Sequence, residues 1–431
     1  MSSEINTEEG MSSSSSPGSQ VKKRVISVGS RASSLALIQT KFVVSCLQDV
    51  YPEYDFNIHT MKTLGDKILE KPLPDIGDKG LFTQELEEAL LTNQVDFIVH
   101  SLKDLPTALP DDCCIGAVLK REDPCDVIVL KKGMEANSAL DIIQGNLSET
   151  KTVRIGTSSL RRQSQLQRIN PSVVIKDVRG NLTTRLEKLD GLRDGVEYDA
   201  LILACSGLKR AGYGDRISFT LGSDDDNDNS TVSSWMYAVG QGALAVECRL
   251  QDDFIHSLLK PLSDQTSMYE IIAERSLLSH LEGGCSVPIG VKSSWTSFSD
   301  LSLTAAVFSL DGTVKIEGKK CVKLNRSHAP LLDSDEEKEV AQLRKKRRLS
   351  VEQLTDAKDK LLNGLLVPRD CPVLHSNYES CFQMGLELAK ELTLKGADAL
   401  LKEIKETKER RKEERQRENA GKRDSSDSNE K

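Results

Sequence analysis

Three stretches share one arrangement, an apolar run that ends in a polar turn opening a helix-forming segment. They are "VGSRASSLA" with Arg31 and Ser33, "GTSSLRR" with Thr157, Ser158, Ser159, Arg161 and Arg162, and "VRGNLTTR" with Arg179, Gly180 and Arg185. The start of a helix carries unpaired N–H groups and the positive end of the peptide dipoles, so such turns bind carboxylates or phosphates. Any one of them read alone is more often an ordinary cap. Recurrence shifts the balance: these arginines, with Arg210, gather at strand-to-helix junctions, and guanidinium forks match carboxylates. A ligand bearing several carboxylates fits that set better than a single phosphate does. Neither a Gly-x-Gly-x-x-Gly nor a Walker sequence accompanies the turns, so nucleotide use is not expected.

Two other stretches add different chemistry. In "DFIVHSLKDLPTALP" an apolar strand delivers Ser101, Lys103 and Asp104 onto a loop stiffened by Pro106. An acid beside a base at a strand end is either an exposed ion pair or, in a cleft, a proton-transfer group or a partner for a cationic intermediate. In "SHLEGGCSVP" Cys285 follows two glycines and precedes Pro288. Paired glycines let a loop project the sulfur and the proline limits its wandering; the alternative is a helix C-cap followed by a small buried residue. The other nine of the ten cysteines form no C-x-x-C and no zinc-finger spacing with the histidines. They read as reduced core or surface residues, and no metal site is expected.

The elements that must position these groups alternate as strand, turn and helix. From Val25, "VISVG", "DFNIHTMKT" and "DFIVH" are strands separated by helices. The grammar restarts at "VRIGTSSLRRQSQLQRI" and continues through "SVVIKDV" and "DALILAC". This is an α/β fold of two lobes, followed by an α+β third part with a helix over 268–284 and the strands "DLSLTAAVFSL" and "GTVKIEGKKCVKL". The expected division is a disordered leader (1–20), α/β domain 1 (21–121 with 236–248), α/β domain 2 (122–235), α+β domain 3 (249–406) with a charged insertion at about 329–372, and a charged, disordered tail (407–431). In the insertion, "RKKRRLS" reads as a solvated loop before it reads as a nuclear address or a phosphorylation site.

A net charge of −8 argues against a nucleic-acid binder, yet residues 151–216 hold thirteen Lys/Arg against seven Asp/Glu, a local surplus of six that invites an anionic ligand. The N-terminus is acidic and Ser-rich without an apolar core, and no apolar run approaches the roughly 20 residues of a membrane span. A cytoplasmic protein is expected, monomeric and bound to neither nucleic acid nor membrane. Two rival readings remain open from the residues: a non-catalytic two-lobed carboxylate binder, which leaves Asp104 and Cys285 without a task, and a nucleic-acid binder using "SSLRRQSQLQR", which has only 4% aromatic residues to offer as stacking platforms.

With those residues in place the chain resembles the porphobilinogen deaminase (hydroxymethylbilane synthase) family of tetrapyrrole biosynthesis. "VGSRASSLALIQT", "GDKGLFTQELEEALL", "VHSLKDLPT", "GTSSLRRQSQLQR", "VRGNLTTRLEKLD", "YAVGQGALAVE" and "HLEGGCSVP" occur in family order between about Arg24 and Val291. The resemblance implies head-to-tail condensation of four porphobilinogen molecules with loss of ammonia, then hydrolytic release of the linear tetrapyrrole. It implies a dipyrromethane cofactor held by a thioether to Cys285. It makes Asp104 the catalytic carboxylate, holding pyrrole N–H groups and stabilising positive charge as ammonia leaves. Cofactor carboxylates and pyrroles would be met by Ser101, Lys103, Asp104, Thr157, Ser158, Ser159, Arg161, Arg162, Arg179, Gly180, Arg185 and Gln241. The substrate would be met by Arg31, Ser33, Arg179, Arg185 and Arg210. The implied fold is two lobes like those of periplasmic binding proteins around a cleft, plus a third α+β domain carrying the cysteine loop.

Overall fold

The computed structural model describes residues 23–67, 80–135, 138–145, 152–193, 195–223, 232–281, 287–326, 360–367 and 371–427. The Ser-rich leader, most of the acidic stretch after Gly222, Cys285 and "RKKRRLS" lie outside the described residues.

Two mixed sheets are built around central strands rich in Val, Ile and Leu and buried on both faces, with more exposed strands at the edges. The first contains β1 (Arg24–Arg31), β2 (Tyr54–Met61), β3 (Phe97–Ser101), β4 (Cys113–Val118) and β10 (Leu244–Arg249), and the second β5 (Asp126–Leu130), β6 (Arg154–Gly156), β7 (Val174–Lys176), β8 (Ala200–Ala204) and β9 (Phe219–Leu221). Their orders are β2-β1-β3-β10-β4 and β7-β6-β8-β5-β9. In each, one strand runs antiparallel to both neighbours: β10 between β3 and β4, and β5 between β8 and β9. The two lobes therefore share one topology, the doubled arrangement expected of lobes like those of periplasmic binding proteins.

The chain crosses between lobes twice, after β4 and before β10, and the two crossings touch. Glu122 N–H donates to Gly242 O at 3.2 Å, and Arg121 Nε donates to Gln241 O at 2.8 Å. Gly242 has φ +89°, and a Cβ there would lie 2.2 Å from Glu122 O. The "VGQGAL" turn is glycine-rich because the first crossing occupies the space of a side chain.

A third, antiparallel sheet, β11-β12-β13, comprises Ile289–Trp295, Asp300–Phe308 and Lys315–Lys323. The helices Gln265–His280 and Pro372–Leu394 share a core with it. Asp264 caps the first of these through Ser267 N–H, so the helix expected over 268–284 begins three residues earlier and ends at His280. Among the described residues no helix is long and apolar enough to cross a membrane.

Three features differ from the sequence expectations. The boundary expected at 249 does not separate packing units: the helix Asp253–Leu259 buries Ile255, Leu258 and Leu259 in the first lobe's core beside Cys114 and Cys248. Within the expected charged insertion, Lys360–Leu362 and Leu365–Val367 form a hairpin that joins the first sheet alongside β4. Its Asn363-Gly364 turn has φ +48° and +80°, the geometry an Asn-Gly pair favours in a hairpin, and the surrounding charges hide that signal. The tail expected to be disordered from 407 instead continues a helix, Ala397–Asp427, which follows Pro372–Leu394 after a break at Gly396 with φ +97°.

Candidate active site

The Asp104 turn is set by burial on either side of it. Leu102 and Leu105 are fully inside the core, Leu102 N–H donates to Ala243 O at 3.0 Å, and Leu105 N–H donates to Leu102 O at 3.1 Å. With both leucines turned inward, the intervening Lys103 and Asp104 point the other way. The buried Arg275 braces the following loop, donating to the carbonyls of Leu105, Pro106 and Thr107 at 3.2, 2.8 and 3.2 Å. Just upstream, Ser101 Oγ donates to Gln39 Oε1 at 3.0 Å.

Arg31 lies between two carboxylates. Its Nη2 is 2.5 Å from Asp66 Oδ1, its Nη1 is 3.7 Å from Asp104 Oδ2, and its guanidinium stacks on Phe82 at 4.4 Å. Burial raises the Asp66 carboxyl, but Arg31 and Thr63 outweigh that and hold it below the usual range. Ser33 caps the helix Ser34–Val50, accepting from Ala36 N–H at 3.4 Å.

In the second lobe, Ser158 joins two of the polar turns. Its Oγ donates to Val178 O at 2.9 Å and accepts from Val178 N–H at 3.2 Å, drawing the 157–159 turn against Arg179 and Gly180. Thr157 Oγ1 accepts from Ser159 N–H at 3.3 Å. Arg185 Nε donates to Gly180 O at 2.8 Å.

Beneath these turns lies a carboxylate the sequence reading missed. Asp126, fully buried at the start of β5, accepts from Arg161 Nη1 (2.8 Å), Arg162 Nη2 (2.7 Å), Trp235 Nε1 (2.9 Å) and Gln241 Nε2 (2.8 Å). Burial raises its proton affinity, but the two guanidiniums overcome that and keep the carboxyl far below the ordinary range. Its only trace in the sequence is a lone acid opening the apolar run "DVIVL".

The expected residues thus fall into two groups. Lys103 and Asp104 from the first lobe, with Arg31 beside Asp104, meet Arg162 and Arg185 from the second closely enough to perturb the charges there, and Arg179 adds to Arg185. Arg161 and Gln241 lie deeper and, like Arg162, spend donors on Asp126. Arg210 sits at the crossing, donating to Glu122 Oε1 at 2.9 Å and Gly242 O at 2.6 Å, and Ser33 is occupied as a cap. Cys285 lies outside the described residues. The segments flanking it are anchored: Leu281 and Ile289 share one hydrophobic core with Leu102, Leu105 and Tyr237.

The cleft crowds positive charge around Asp104. Lys103 is pulled from 10.5 to about 8 by burial, with Arg162 lowering it further against the opposing pull of Asp104. Arg185 is pulled down to about 10 by burial, Arg162 and Arg179. The Nε of Arg162 is buried with no hydrogen-bond partner. Buried like charges of this kind are relieved by a bound anion. The donor set, guanidiniums and an ammonium around one carboxylate, fits a ligand that carries carboxylates and N–H groups together.

The electrostatic cost gives a stability prediction. Below pH 8 Lys103 is charged both folded and unfolded, and its burial penalty is fully present. Between about pH 8 and 10.5 the unfolded chain holds the extra proton, so stability rises with pH in that window. In a Cys285→Ala background, Lys103→Met should raise stability at pH 7 by about 1–3 kcal/mol, allowing for the lost bond to Gln241. The advantage should shrink towards pH 10. Urea midpoints at the two pH values read it, and a destabilised Lys103→Met chain at pH 7 would contradict it.

Residues 26–257 match the family model described as "Porphobilinogen deaminase, dipyromethane cofactor binding domain", and residues 268–341 match "Porphobilinogen deaminase, C-terminal domain". The chain belongs to the porphobilinogen deaminase family. The porphobilinogen deaminase of Synechococcus elongatus is 48% identical over 67% of this chain and 84% of its own. That of Neurospora crassa is 44% identical over 69% and 85%, and that of Prochlorococcus marinus 38% identical over 88% and 96%. Solved structures overlay loosely. The aliphatic sulphonate binding protein SsuA from Escherichia coli aligns at TM-score 0.29 and 12% identity, over 60% of this chain and 71% of that one, a likeness on which nothing further rests. Seven motifs carried the family resemblance in the sequence, and the porphobilinogen deaminase models cover the same span.

Proposed function

We propose that this chain is a porphobilinogen deaminase in activity as well as family: a transferase that joins four porphobilinogen molecules head to tail, releases ammonia at each joining, and hydrolytically frees hydroxymethylbilane for porphyrin and heme biosynthesis. The observation that carries the reading is the gathering of Lys103, Arg162, Arg179 and Arg185 around Asp104 where the two lobes meet. Porphobilinogen bears an acetate and a propionate on a pyrrole, so each added unit brings two carboxylates and one N–H.

Dipyrromethane, attached through the sulfur of Cys285, supplies the primer on which the product is built. Lys103, Arg162, Arg179 and Arg185, with the N–H groups and hydroxyls of Thr157, Ser158 and Ser159, hold carboxylates. Arg161 and Gln241 set the depth of that floor through Asp126. Arg31 and Arg210, with the helix start at Ser33, meet the incoming substrate. Asp104 accepts pyrrole N–H bonds on its carboxylate oxygens and stabilises the positive charge that develops as the substrate's C–N bond breaks. Arg31, held by Asp66, keeps that carboxylate oriented.

We further infer a three-domain division, the two crossed lobes and the sheet β11-β12-β13 with its helices. The chain acts as a monomer in the cytoplasm on this small molecule alone, without nucleic acid or membrane. Nine described cysteines, five of them buried, all unpaired by disulfides, suit a reducing compartment.

Intact mass tests the reading. The purified chain should exceed its sequence mass by a dipyrromethane, and Cys285→Ala should abolish both the excess and porphobilinogen consumption. A chain that consumes porphobilinogen while carrying no adduct would overturn the proposal.

A further inference from the structure

The thiols expected to be inert core residues include one pair that the fold brings together with a histidine. Cys114 on β4 and Cys248 on β10 are direct cross-strand partners, both fully buried, with sulfurs 3.7 Å apart. His256, on the helix Asp253–Leu259 that covers this face, puts Nε2 3.7 Å from Cys114 Sγ. The three ligand atoms all lie within 4.8 Å of one another. Spacing along the chain gives no hint of this, because 134 and 142 residues separate Cys114 from its two neighbours.

We propose that Cys114, Cys248 and His256 form a binding site for a thiophilic divalent cation of the zinc class. On a tetrahedral centre with Zn–S about 2.3 Å and Zn–N about 2.0 Å, two sulfurs stand about 3.8 Å apart and sulfur and nitrogen about 3.5 Å. The observed 3.7 Å between the sulfurs and 3.7 Å from Cys114 Sγ to Nε2 match these separations, and Cys248 Sγ lies within 4.8 Å of Nε2. A disulfide would instead need the sulfurs at about 2.05 Å and would leave His256 without a part.

The surroundings are shaped for the sulfurs. A register shift between Val246 and Glu247 brings Cys248 opposite Cys114. At the bulge, Gly116 leaves the space that a Cβ would take 2.8 Å from Cys248 Sγ. Asp253 Oδ1 lies 3.9 Å from His256 Nδ1, on the side where a carboxylate steadies a metal-bound imidazole. Arg249 O accepts from Nε2–H at 2.9 Å, a bond the metal would replace as the imidazole moves its proton to Nδ1.

Charge balance selects the ion. Binding releases the two thiol protons, and the imidazole stays neutral with its proton on Nδ1. Two thiolates then cancel a divalent charge, leaving a neutral centre in a core that would penalise a net one. The site lies at the end of β3 and β10 away from Ser101: Cys248 pairs with Phe97 and Leu244 with Ser101, about 13 Å of strand apart. It therefore ties β4, β10 and the covering helix together without entering the cleft.

Cobalt(II) titration of the reduced, chelator-stripped full chain tests this. We expect about one equivalent to bind with a thiolate-to-cobalt charge-transfer band, to be displaced by zinc, and to release about two protons. Cys114→Ser with Cys248→Ser should remove the band. His256→Gln, at a partly exposed helix position that should fold normally, should weaken binding at least about tenfold. Cys321→Ser, at an exposed cysteine outside the cluster, should change nothing. The proposal fails if no band forms, or if the band survives unchanged in the double variant and in His256→Gln. It fails equally if the untreated protein binds no metal and carries a reducible mass deficit of two hydrogens at Cys114 and Cys248, which would make the pair a disulfide.

Discussion

Asp126→Asn should destabilise the protein by about 3–5 kcal/mol, the usual consequence of removing one member of a buried ion cluster. The carboxylate accepts four hydrogen bonds, two from guanidiniums that are themselves buried. An amide keeps the shape, loses the charge and forces one N–H against a donor. Arg161 and Arg162 then remain in the core as uncompensated cations. The sign with pH is fixed by the direction of the shift. Asp126 has its proton affinity lowered by folding, so its stabilisation is complete above about pH 4 and is lost as pH falls further. The gap between parent and variant in urea denaturation should be constant from pH 8 to 5 and narrow below about pH 4. Pairing Asp126→Asn with Arg161→Met should cost less than the two changes added, because the second removes a charge the first stranded. A variant within about 1 kcal/mol of the parent would mean that the cluster is not the foundation of the second lobe's turns.

Asp104→Asn should lower turnover by about 10²–10³-fold while leaving the folding midpoint near the parent value. The contrast with Asp126 comes from position: Asp104 is one-third exposed and its closest ion-pair contact is Arg31 at 3.7 Å, so little folding energy depends on its charge. Its proposed work is done when positive charge develops on the substrate. The loss should therefore fall on kcat and kcat/KM alike, leaving KM nearly unchanged. A variant that turns over like the parent, or one that loses only affinity, would remove Asp104 from the chemical step.

The alternation of apolar runs with polar turns was enough to read two α/β lobes, because strands buried on both faces must be continuously apolar and their helices cannot be. The polar turns were equally readable, since each lies just after a short apolar run. What the sequence did not disclose is where each guanidinium spends its donors. Arg161 and Arg162 are adjacent in the chain and look equivalent, yet the partner that separates them from Arg179 and Arg185 is Asp126, which is remote in sequence and carries no motif. Arg275 is hidden for the same reason: it sits beside Glu274 in mid-helix and serves backbone carbonyls, which have no side-chain signature. The hairpin at 360–367 was concealed by charged neighbours, although its Asn-Gly turn is a strong local signal. The Cys114, Cys248 and His256 cluster was beyond any spacing rule, because strand pairing alone assembles it.

The insertion of β10 between β3 and β4 has a consequence for biosynthesis. All five strands of the second sheet lie between Asp126 and Leu221. The first sheet keeps a gap at its centre until Leu244–Arg249 has been made. As the chain emerges from the ribosome, the lobe encoded second has its full complement of strands first. The lobe encoded first waits with two open edges, β3 and β4, for a partner still being translated.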